Sequence, residues 1–111
     1  MRAARSTVLT RDVSTSTALA SRAVPDELTV LREAIERVDD ALITLLAERQ
    51  TLAKRVGETK RAAGLAVVDP AREASVVRRA AERARSTGLP PDAVRELFRR
   101  LIALSREQQL G

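Results

Sequence analysis

The chain has 111 residues, with 20 Lys+Arg against 15 Asp+Glu for a formal charge of +5, and it contains no His and no Cys. That length sets a single domain as the prior, and the two absences exclude a disulfide framework, a Cys/His zinc site, a thiol nucleophile and an imidazole general base. Phe98 is the sole aromatic residue, which excludes a stacking platform for single-stranded nucleic acid, while abundant Ala, Leu, Arg and Glu favour helix.

Residues 1–24 carry Arg2, Arg5, Arg11 and Arg22 against Asp12, many Ser and Thr, and no sustained helical period, so they read as a disordered leader. The leader holds +3 of the formal charge and leaves only +2 for residues 25–111, too little for a strip that binds nucleic acid. No apolar run approaches the ~18 residues that cross a bilayer. Neither a nucleic acid nor a membrane is therefore expected as a partner, and a chain without Cys is compatible with the cytoplasm.

From Pro25-Asp26 the pattern changes. Leu28, Leu31, Ile35, Val38, Leu42, Leu45, Leu52, Val56 and Ala63 fall on a three-four spacing, which predicts one long amphipathic helix reaching Gly64. Asp26 is the expected N-cap, and Gly64 is the expected left-handed residue after a last turn containing Lys60 and Arg61. About 37 residues at 1.5 Å each make a rod of roughly 55 Å, more than the rest of an ~87-residue monomer can cover, so a second chain is expected along it.

Val67-Val68 lead into Asp69-Pro70, an N-cap followed by a first-turn proline, and predict a second helix to about Ser86. After the turn Leu89-Pro90-Pro91-Asp92, a third helix runs to about Gln109 with Val94, Leu97, Phe98, Leu101, Ile102 and Leu104 as its apolar face. These signals predict an all-α, three-helix protomer with one very long N-terminal helix.

Some polar residues stand where the pattern wants apolar ones. Arg49 occupies a seam position between Leu45 and Leu52; it either snorkels to the edge and pairs with an acid such as Glu48, or it faces a cavity that holds an anion. Lys60 follows within about 20° of the same helical face and about 16 Å further along, so both cations could address one small anionic ligand. Arg32 lies about 42 Å before Lys60 and cannot reach that ligand within one chain. A second copy packed antiparallel about a two-fold axis near residue 41 would bring its Arg32 beside Arg49 and create two equal composite sites. Asp69, Arg72 and Glu73 open the second helix, and Ser105 and Gln109 form an i, i+4 pair on the third; each taken alone has an ordinary capping or surface role.

Taken together, LREAIERVDDALITLLAERQTLAKRVGETK (31–60), VVDPARE (67–73) and LFRRLIALSREQQ (97–109) resemble the all-helical chorismate mutase family of bacterial and fungal shikimate metabolism, over about residues 27–110. The resemblance implies a domain spanning 25–111, an intertwined antiparallel helical homodimer with shared active sites, and no cofactor or metal. It also implies roles. Arg49 and the partner subunit's Arg32 would hold the two substrate carboxylates, Lys60 and Gln109 would hydrogen-bond the ether oxygen, Glu73 the ring hydroxyl, and Ser105 the ring carboxylate, with Arg72 and Asp69 completing the wall. Lys60, Gln109, Arg49 and Glu73 would form the catalytic set.

The implied reaction suits this composition. Chorismate becomes prephenate by an intramolecular [3,3] rearrangement that requires neither proton transfer nor a nucleophile. Two relatives on the same scaffold remain open, a mutase of 4-amino-4-deoxychorismate and an isochorismate-pyruvate lyase. The alternative from another class is a non-enzymatic helical dimerisation module with solvated charges, against which stands the cost of an arginine in the seam of a plain coiled coil.

Overall fold

The computed structural model describes the backbone of residues 13–111 and the side chains of residues 23–111. Three helices account for it: α1 (Val13–Ala62), α2 (Pro70–Thr87) and α3 (Pro91–Leu110), with no strand among the described residues. The chain divides at Ile43/Thr44 into two units, the first ending within α1 and the second containing the rest of α1 with α2 and α3.

In the first unit, α1 begins upstream of the expected start. Asp26 stands inside the helix, directly after an internal Pro25, and so is not its N-cap. A proline there removes one backbone donor, and the helix continues through it, with Thr29 Oγ1 donating to the Pro25 carbonyl at 3.0 Å. The Ser/Thr/Ala run before Pro25 is helical without an apolar period, so periodicity alone does not reveal it. Of the expected leader, residues 1–12 lie outside the described residues, and residues 13–24 have helical backbone. Leu28, Leu31, Ile35, Val38 and Leu42 are 43–60% exposed, so the apolar seam in this unit is uncovered.

In the second unit the helix ends follow local chemistry closely. Gly64 takes φ +71, Leu65 N–H donates to the Lys60 carbonyl at 2.8 Å and Gly64 N–H to the Arg61 carbonyl at 3.1 Å, which closes α1 in a Schellman motif at the expected glycine. Asp69 caps α2, accepting from Arg72 N–H at 3.0 Å, and Pro70 occupies the first turn. Gly88, at φ +78, ends α2 in the same way, with Leu89 N–H donating to the Ala84 carbonyl at 2.9 Å.

The buried side chains of this unit are small: Ala53 on α1, Ala80, Ala81 and Ala84 on α2, and Ser105 on α3. Small residues let helix backbones approach closely, but they remove little apolar area from water. The larger apolar side chains Leu45, Leu52, Val56, Leu97 and Leu104 remain 41–59% exposed. Complete burial of such a side chain contributes about 1.5–3 kcal/mol, so both units present surface whose covering would be strongly favourable. No helix among the described residues is long and apolar enough to cross a membrane.

Candidate active site

The second unit contains a cleft of about 500 Å³, within the usual size range of small-molecule sites. Arg49 and Lys60 enter it from α1, Asp69, Arg72 and Glu73 from the start of α2, and Ser105 and Gln109 from the last turns of α3. Leu52, Val56, Val76 and Ile102 supply an apolar wall. The cleft thus brings together seven of the eight residues singled out from the sequence. The eighth, Arg32, is an exposed residue of the first unit and is not among those lining the cleft.

Arg49, Lys60 and Glu73 are each held by a backbone carbonyl or a second side chain. Arg49 donates from one guanidinium nitrogen to Ser105 Oγ and to the Leu101 carbonyl, the latter at 3.3 Å. Ser105 is buried, and its hydroxyl donates to the same Leu101 carbonyl at 2.9 Å. The arginine in the seam is therefore docked on α3 and does not snorkel outward. Lys60 Nζ donates to the Val67 carbonyl at 3.1 Å, which ties the end of α1 to the loop before α2 and commits one of the three ammonium protons.

Gln109 is positioned through its backbone. A Cβ added at Gly57 would lie 2.7 Å from Gln109 Cα and closer still to its carbonyl oxygen, so only glycine permits this approach of α1 to α3. The Gln109 carbonyl, in the last turn of α3 where intrahelical donors run out, accepts from Arg61. Glu73 is gripped by Arg106 of α3, whose Nε donates to Oε2 at 3.1 Å and whose terminal nitrogen pairs with Oε1. This hydrogen bond, and secondarily the charge of the carboxylate, raise the Arg106 pKa above its ordinary value.

Gly57 lies within the 31–60 run that carries the resemblance, but nothing in the sequence pairs it with Gln109. Arg61 stands in the sequence only as a basic residue of the last turn of α1, and Arg106 and Val76 carry no signal of their own. Val76 does lie one helical turn after Glu73, a spacing that places it on the same face of α2.

Residues 31–110 match the family described as chorismate mutase type II. The chain belongs to that family. All eight predicted site positions fall inside the matched span, and residues 1–30 lie outside it. The chain is 43% identical over 76 residues to the T-protein of Enterobacter agglomerans, covering 68% of this chain and 20% of that protein. It is 34% identical over 90 residues to a bifunctional chorismate mutase/prephenate dehydratase of Aquifex aeolicus, covering 77% of this chain and 25% of the other. A chorismate mutase of Methanocaldococcus jannaschii is 40% identical over 48 residues, covering 43% of this chain and 48% of that protein. The matched region therefore spans a fifth to about half of the length of these curated relatives.

Proposed function

We propose that the chain is a chorismate mutase, working in the cytoplasm as an antiparallel homodimer, with residues 25–111 as the functional domain and residues 1–24 outside it. The observation that carries the proposal is the cleft itself, where a docked arginine, a partly buried lysine and a glutamine amide meet against an apolar wall. A solvated dimerisation module has no need for that convergence.

In the reaction the ether C–O bond of chorismate breaks as a new C–C bond forms within the same molecule, so atoms and electrons balance without any outside group. The protein then has two tasks. The first is to select the compact conformer in which the enolpyruvyl arm lies over the ring, and carboxylate clamps achieve this. Arg49, already fixed on Ser105, offers a planar fork to one carboxylate, and the partner subunit's Arg32 holds the other. The second is to stabilise negative charge growing on the ether oxygen. Lys60, with protons beyond the one given to Val67, and the Gln109 amide donate there, in a cleft whose apolar wall strengthens both hydrogen bonds. Glu73 accepts from the ring hydroxyl, and Arg72 and Asp69 close the wall.

The exposed seams support a second copy of the chain. Leu31, Ile35, Val38 and Leu42 in the first unit and Leu45 and Leu52 in the second are all more than half exposed in the single chain. A two-fold partner would cover both stretches with its own and deliver Arg32 to the opposite cleft.

Binding of a bicyclic dicarboxylate that mimics the rearranging substrate tests the proposal. At a hundredfold excess over its Kd, such a ligand stabilises the folded state by about 2.7 kcal/mol, so Tm is expected to rise by several degrees in the parent and to stay unchanged in Arg49→Ala. A parent protein with no shift would contradict the assignment of the cleft.

A further inference from the structure

Arg106 has no part in the chemistry above, yet it holds a residue that does. It is not among the residues lining the cleft, and it reaches Glu73 from the flank with two donors on two carboxylate oxygens. The Glu73 side chain is 21% exposed and that of Arg106 46%. We propose that Arg106 sets which substituent the site accepts at the ring carbon facing Glu73, favouring a neutral hydroxyl over an ammonium. This rests on the mutase reading, in which Glu73 faces that position.

The physical basis is a separation of acceptor strength from charge. A carboxylate oxygen has more than one lone pair, so Glu73 can serve Arg106 and still accept from a substrate hydroxyl. A hydroxyl needs nothing more. An ammonium gains chiefly from net negative charge, and the Arg106–Glu73 pair has almost none to offer. The guanidinium also repels a second cation a few ångströms away. A Glu73 without this partner would reverse the preference, because an isolated carboxylate attracts the ammonium of the 4-amino analogue far more strongly than it attracts a hydroxyl.

A merely structural tie between α2 and α3 makes a different prediction. Partly exposed ion pairs contribute little to stability, and loosening one would disturb both substrates alike. Charge control changes their ratio. The test is therefore kcat/KM for chorismate and for 4-amino-4-deoxychorismate with the full chain and with its Arg106→Gln and Arg106→Lys variants, each checked by thermal melting. The parent is expected to prefer chorismate, Arg106→Gln to shift the ratio about tenfold toward the amine, and Arg106→Lys, which keeps the charge, to stay within about twofold of the parent. An unchanged ratio in Arg106→Gln would overturn the role given to Arg106 and leave the mutase reading standing, whereas a parent that prefers the amine would overturn that role and make the amino analogue the substrate. A parent that converts neither substrate would remove both.

Discussion

Lys60→Ala is expected to lower kcat by about 10²–10³-fold, the usual effect of removing a donor to an oxygen that gains charge in the transition state. The fold should survive the change. The Schellman bonds that end α1 use the backbone carbonyl of Lys60, not its side chain, and the Lys60 ammonium donates to the part-buried Val67 carbonyl. The prediction is a large loss of kcat with chorismate, an unaltered oligomeric mass and a Tm within a few degrees of the parent. Near-normal kcat in a folded variant would remove Lys60 from the ether oxygen and with it the electrostatic half of the mechanism.

The second large effect concerns the shared site. Arg32→Ala and Arg49→Ala should each be inactive as homodimers, since each leaves one substrate carboxylate without its planar clamp. Mixed and allowed to exchange, they form heterodimers in which one site collects both defects and the other collects none. With random exchange of equal amounts, half the dimers are mixed and each has one intact site of two, so activity should return to about a quarter of the parent value. Activity that stays at the homodimer level after exchange, verified by mass on differently tagged subunits, would contradict a site built from two chains.

Much of the fold is legible in the sequence alone. The ends of α2 and the close of α1 follow residues whose effect is local: Asp69 accepts a hydrogen bond three residues on, Pro70 fixes one dihedral, and Gly64 takes the left-handed conformation. Helical periodicity was enough to put Arg49 and Lys60 on one face, and the cleft does receive both. The start of α1 was not legible, because the stretch before Pro25 carries no apolar period that could mark it as helical. Nor were the supports of the site. Arg106 meets Glu73 across 33 positions and Arg61 meets Gln109 across 48, on pairs of helices whose relative register no local pattern encodes. Arg32 has a different status, since its proposed partner lies in another chain and its own helix shows only that it is exposed.

The most direct measurement is the loss of chorismate absorbance with the purified chain, run beside 4-amino-4-deoxychorismate and isochorismate and with every product identified. Prephenate formed from chorismate, more efficiently than any product of the other two, is the expected result. Pyruvate released from isochorismate as the main activity would keep the scaffold and overturn the mutase, and turnover of none of the three would make the helices a dimerisation module and contradict the assignment of the cleft.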